Sequence, residues 1–181
     1  CLREITGKRF LVGYAGGLGL ANDIPTLLRA AENLIDLDDL GICIIGSGEN
    51  RQNYIDYCLE HNLKNVYLLP AVPRFEARNL IRQMDVCVHL YPPADLFTEA
   101  LASKILDYQG LGKPIVFCGS GDTAELLSLS QGGIAVKSGD DMALADAIRS
   151  LYADESLRLK MGEAARTWFE KNVGFDNACQ I

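Results

Sequence analysis

The feature that most constrains this chain is a series of six short apolar runs, nearly all separated by segments with helical spacing. The runs cover 10–14, 42–45, 66–69, 86–90, 115–118 and 134–136, and within each the apolar residues follow one another instead of alternating with polar ones. A strand with one wetted face alternates; a continuous run is expected where helices cover both faces of a parallel sheet. Helices are expected over 24–37, 51–61, 75–84, a segment ending near 111, 124–129, 140–152 and 154–171. Strand–helix alternation with short connections implies a doubly wound, Rossmann-like α/β sheet of about six parallel strands. No repeat, low-complexity tract or linker interrupts the pattern, so 1–181 reads as one domain.

Composition then narrows the partners. Apolar residues make up 49% and charged residues 23%, as in a folded globular domain. The net charge of -7 argues against nucleic acid, which needs a basic face. A small anion stays open, because a few backbone amides and one lysine can hold a diphosphate within an acidic protein. No apolar run approaches the roughly 18 residues of a membrane span, and no signal peptide is visible, so a cytoplasmic location is expected. The six cysteines are Cys1, Cys43, Cys58, Cys87, Cys118 and Cys179, with no C-x-x-C pair and no histidines at zinc-ligand spacing. Cys43, Cys87 and Cys118 sit in apolar runs and are expected to be reduced core thiols. No metal site is expected; Asp36-Leu37-Asp38 is read as solvated on a surface helix. The chain opens Cys1-Leu2-Arg3-Glu4 without an initiator methionine, as expected of a domain cut from a longer protein.

Ligands of a doubly wound sheet bind beyond the carboxyl ends of its strands. After the first run stands Gly13-Tyr14-Ala15-Gly16-Gly17-Leu18-Gly19, where glycines let amides approach an anion closely. Their spacing is not the dinucleotide G-x-G-x-x-G, and Gly46-Ser47-Gly48 stands where an acidic ribose ligand would close the second strand. His89, a lone histidine in a strand, is expected to be a satisfied core or rim residue. The richest segment is 98–115, a loop that becomes a helix and stops at Gly112 and Pro114. Glu99 lies near its start, and Lys104 and Asp107, three apart, share a face. Taken alone, these residues are better read as an ordinary capped helix with a surface Asp–Lys pair.

Together the motifs resemble the C-terminal domain of retaining GT-B glycosyltransferases of family four, in particular the capsule, O-antigen and colanic-acid branch of bacteria. The match is carried by Val12-Gly13-Tyr14-Ala15-Gly16-Gly17 with Gly19-Leu20-Ala21-Asn22, by Ile44-Ile45-Gly46-Ser47-Gly48 and by Asn65-Val66-Tyr67-Leu68-Leu69. It continues through Ala102-Ser103-Lys104-Ile105-Leu106-Asp107-Tyr108, Gly112-Lys113-Pro114-Ile115, Gly139-Asp140-Asp141, Leu144-Ala145 and Met161-Gly162. The resemblance implies one half of a GT-B fold, binding a UDP- or GDP-sugar without a cofactor or metal. Its acceptor site would lie in an N-terminal domain outside this chain, and the whole enzyme would associate peripherally with the inner membrane face.

It also implies roles. Glu99 and Asp107 have the family's spacing of two acidic residues, Glu99 for the donor sugar's hydroxyls and Asp107 for the ribose. Lys104 would neutralise the diphosphate, sharing its charge with the Gly16 and Gly17 amides and with a helix start near Ser103. Glu99 and Lys104 would thus be the catalytic pair. Backbone around Val72-Pro73-Arg74 would meet the nucleobase. Two departures stand out. Asp107 replaces a glutamate, and Asn22 and Asp23 stand where many members carry an Arg and Lys pair, so phosphate binding leans on Lys104 and Arg74. Other classes sharing this fold are a nicotinamide dehydrogenase, disfavoured by the glycine spacing, a sugar-nucleotide epimerase and a non-catalytic nucleotide-sugar-binding module.

Overall fold

A computed structural model describes residues 1–93 and 101–173. Six strands, β1 (Phe10–Ala15), β2 (Leu40–Ile45), β3 (Val66–Leu69), β4 (Val86–Leu90), β5 (Ile115–Cys118) and β6 (Gly133–Val136), form one parallel sheet in the order β3-β2-β1-β4-β5-β6. The described helices are α1 (Leu2–Thr6), α2 (Ile24–Glu32), α3 (Arg51–Glu60), α4 (Arg74–Ile81), α5 (Ser103–Gly110), α6 (Asp122–Ser130), α7 (Asp141–Ala153) and α8 (Glu155–Asn172). The doubly wound α/β sheet expected from the apolar runs is the fold observed.

Strand periodicity sorts the core into two layers. Val12, Tyr14, Ile42, Ile44, Val86, Val88 and Val116 pack on one face with Leu27 and Leu28 of α2 and Leu144 and Ile148 of α7. Leu11, Cys43, Ile45, Cys87, Ile115 and Phe117 face the other way, against Ile81 of α4, Ile105 and Tyr108 of α5, and Leu127 of α6. The central strands β1, β2, β4 and β5 are buried almost throughout, which is why their runs do not alternate, whereas β3 and β6 lie at the edges and are mostly half-exposed. Cys43, Cys87 and Cys118 are buried free thiols, and burial pushes them up to about 12, 12 and 11 respectively. Cys179 lies outside the described residues.

Helix starts follow capping chemistry. Asp23, Asp140 and Asp154 accept from the backbone amides of Thr26, Ala143 and Leu157, closing the first turns of α2, α7 and α8. Two expectations need correction. The helix over 24–37 ends at Glu32, and tight turns (Leu34 N to Ala31 O at 3.2 Å, Leu37 N to Leu34 O at 3.1 Å) carry the chain on to β2. Asp36 therefore lies in a turn, not on a helix, and it is paired: Arg149 Nη1 donates to it at 2.7 Å. The short helix α1 was not foreseen. It is held by tertiary contacts, with Leu2 buried and Arg3 Nη2 donating to both oxygens of Asp85 at 3.0 and 2.8 Å. Among the described residues no helix is long and apolar enough to cross a membrane.

Candidate functional site

The strand order reverses direction between β1 and β4, and the loops beyond their carboxyl ends form a crevice, the usual ligand position in such sheets. The loop after β1 is built onto the loop after β2. Gly16 N donates to Ile45 O and Leu18 N to Ser47 O, each at 2.9 Å, while the fully buried Leu18 side chain anchors the turn. A side-chain carbon on Gly46 would lie 1.9 Å from Gly16 O, so the two loops can touch only because position 46 is glycine. Tyr14 rises from the end of β1 and donates to Gly17 O at 2.8 Å, and Ala15 N donates to Tyr108 Oη at 3.2 Å.

Lys104, in the first turn of α5, reaches over this platform. Its Nζ donates to Tyr14 Oη at 3.2 Å and to Asn22 Oδ1 at 3.4 Å, and it lies 4.9 Å from the centre of the Tyr14 ring, within cation–π range. A side-chain carbon on Gly16 would come within 2.1 Å of that nitrogen. Burial lowers the Lys104 pKa, and no described carboxylate pairs with it. The charge is thus held by neutral oxygens and a π face. Helix α5 adds to the positive field: Ala102 at its N-cap supplies no side-chain acceptor, Ser103 is exposed, and no acidic residue occupies the first turn.

Asp107 lies one turn further along α5 and accepts from Arg74 Nη2 at 3.2 and 3.3 Å. Arg74 begins α4, so this pair crosses the mouth of a cavity of about 250 Å³ between α4, α5 and the glycine loops. Gly16, Gly17, Ser47, Val72, Lys104 and Tyr108 line it, together with the apolar Ile45 and Ala71. The structure therefore brings Gly16, Gly17, Arg74, Lys104 and Asp107 around one space, whereas Ser103 lines a neighbouring cavity on the other side of Lys104. Glu99 lies outside the described residues.

Sequence reasoning passed over three residues here. Tyr14 and Asn22 stand in the motif of the first strand and loop with no contact of their own expected, yet both hold Lys104. The third is His89. It is buried, 2% exposed, but it is not satisfied: neither ring nitrogen has a hydrogen-bond partner among the described residues. Its surroundings explain this, since the ring stacks on Phe117 at 6.0 Å and meets the Tyr91 ring edge-on at 4.8 Å. Burial, with the nearby Lys104 charge, pushes its pKa down to about 3, so it is neutral.

Comparison with known proteins bears on the family and the fold. The family model described as glycosyl transferases group 1 matches residues 3–168. The O-antigen chain mannosyltransferase C of Escherichia coli is 24% identical over 176 residues, covering 97% of this chain and 45% of the mannosyltransferase, so the chain spans less than half of that relative's length. The crystal structure of WaaG, a glycosyltransferase involved in lipopolysaccharide biosynthesis, superposes with a TM-score of 0.80 at 15% identity, over 96% of this chain and 47% of that one. HepE from Anabaena, crystallised with UDP-glucose, gives 0.80 at 19% identity, over 94% and 47%. These structures share the fold.

Proposed function

The chain belongs to the glycosyl transferases group 1 family, and from that premise we propose that it is the donor-binding half of a retaining GT-B glycosyltransferase that takes a UDP- or GDP-sugar. The observation that carries this reading is the Lys104 ammonium, held at the carboxyl edge without a described carboxylate, beside glycine amides and a bare helix start. A half-buried cation that meets only neutral groups among the described residues is poised for an anion.

The hard step of glycosyl transfer is departure of the nucleoside diphosphate, and what a protein supplies there is fixed positive charge. In this reading Lys104 faces the diphosphate, the Gly16 and Gly17 amides and the α5 start at Ser103 share its charge, and the base packs against the apolar lining at Ala71 and Val72. Asp107 releases Arg74 and accepts from the ribose hydroxyls, while Arg74 turns towards the phosphates. Glu99 accepts from the sugar hydroxyls. The acceptor, a glycan or lipid-linked saccharide of surface polysaccharide assembly, binds an N-terminal partner domain at the cytoplasmic face of the inner membrane.

The test is a thermal-shift series with UDP, GDP, ADP, their sugar conjugates and NAD. A ligand that binds only the native state raises the melting temperature by mass action. Selective stabilisation by one nucleoside diphosphate, abolished by Lys104→Ala, is expected. Stabilisation by NAD alone would overturn the reading.

A further inference from the structure

Lys104 stands between two spaces. On one side is the cavity already described; on the other is a second, of about 320 Å³, walled by Asn22, His89, Tyr91, Ala102, Ser103 and Lys104 itself. An anionic ligand centred on Lys104 can therefore extend both ways. The apolar side chains lining the first cavity, Ile45, Ala71 and Val72, suit a flat base, so a group carried on the far phosphate projects into the second.

The wall of that second space holds His89, with two buried nitrogens that have no partner among the described residues. Buried polar atoms are almost always hydrogen-bonded, because an unmade bond forfeits the solvation given up on burial. The rings of Phe117 and Tyr91 hold the imidazole plane, so the nitrogens keep fixed directions. A neutral imidazole offers one N–H donor and one lone-pair acceptor. A phosphate oxygen can use only the donor, and Lys104 already supplies the cation. A hydroxyl can accept from the N–H or donate to the lone pair, so it can pair with whichever nitrogen it meets, whatever the tautomer.

We propose that His89 is a specificity-determining residue that hydrogen-bonds a hydroxyl of the group carried on the far phosphate, in the cavity it shares with Lys104, Asn22 and Ser103. This rests on the nucleotide-sugar reading of the first cavity and adds a residue that recognises the transferred group.

The experiment is isothermal titration of the full chain with UDP, GDP, UDP-glucose, UDP-N-acetylglucosamine and GDP-mannose, for the unsubstituted protein, His89→Phe and His89→Gln. Phenylalanine keeps the ring and its stacking but removes both nitrogens; glutamine restores a donor and an acceptor. Affinity for the tightest-binding conjugate should fall about three- to tenfold in His89→Phe and recover in part in His89→Gln, with the bare diphosphate unchanged. In a His61→Gln background, which leaves one histidine of the two, the imidazole ¹⁵N resonances should move with the conjugate and stay in place with the bare diphosphate. Equal losses for conjugate and diphosphate, or an imidazole indifferent to the conjugate, overturns this assignment alone. If neither diphosphate binds the unsubstituted chain, the nucleotide reading falls and this one falls with it.

Discussion

Gly16 and Lys104 occupy each other's space: a side-chain carbon on Gly16 would lie 2.1 Å from the lysine Nζ and 2.5 Å from its Cε. The obstructed atoms are the far end of a flexible side chain, so an added methyl moves the ammonium and leaves the backbone in place. Gly16→Ala should therefore keep stability within about 1 kcal/mol of the parent and weaken nucleoside diphosphate binding about tenfold. Melting and titration on the same protein check both halves. An alanine variant with parental affinity would show that the position of Lys104 does not matter to the ligand.

Lys104 and Glu99 should separate the two parts of the donor. Lys104→Ala removes a charge-assisted contact, worth about 1.5–3 kcal/mol, and should weaken UDP or GDP about ten- to a hundredfold whatever the base. Glu99→Ala should weaken the sugar conjugate and leave the bare diphosphate nearly unchanged. Matching losses for both ligands in the Glu99 variant would sink its assigned role.

Arg74 and Asp107 pair across the cavity mouth, with Arg74 81% exposed and Asp107 32%. Such a pair adds little stability, so Arg74→Ala should cost under about 1 kcal/mol in denaturant unfolding. Asp107→Asn should instead narrow the preference for a ribonucleotide over its 2′-deoxy form, because the carboxylate is the proposed acceptor for the ribose hydroxyls. If ribo and deoxy ligands weaken in parallel, Asp107 does not touch the ribose.

Tyr108 is buried and its Oη accepts from Ala15 N at the end of β1. Tyr108→Phe leaves that amide without its acceptor, and should cost about 1–3 kcal/mol, read as a lower denaturant midpoint at unchanged slope. An unchanged midpoint would mean that water or a neighbour replaces the hydroxyl.

His89 should leave a signature in the pH dependence of stability. In the folded chain the imidazole is pushed down to about 3, against 6.5 for a free histidine. Between those values the unfolded chain takes up a proton that the folded one does not, so stability that is complete above pH 6.5 declines as the pH falls towards 3. His89→Phe should flatten that part of the melting-temperature profile. Carboxylates paired in the fold, such as Asp39 with Tyr152 and Arg9, also lose stability on acidification. They titrate lower, so the comparison is made between pH 4.5 and 6.5, an interval set by the ordinary histidine and aspartate pKa values of about 6.5 and 3.9.

The family pattern put Gly16, Gly17, Arg74, Glu99, Ser103, Lys104 and Asp107 near one another; Gly16, Gly17, Arg74, Lys104 and Asp107 line one cavity, Ser103 lines its neighbour, and Glu99 lies outside the described residues. The missed parts have a common physical cause. Helix α1 is too short to show a period of its own and is held by Asp85, more than eighty positions away. The helix expected over 24–37 kept an apolar rhythm through Leu34 and Leu37, but tight turns use the same residues to bring the chain back to β2.

What the sequence determined by itself was the set of local choices: continuous apolar runs that demand a covered parallel sheet, aspartates that start helices, and a helix carrying Lys104 and Asp107 on one face. Those follow from periods and caps that span a few residues. What the tertiary structure alone decided was which distant groups share space: Gly46 under Gly16, Lys104 over Tyr14 and against Asn22, Arg74 across to Asp107, and His89 closed in by Phe117 with its nitrogens unpaired among the described residues. Contacts between residues tens of positions apart depend on the sheet order and on how far each helix slides along it, and no local periodicity encodes either quantity.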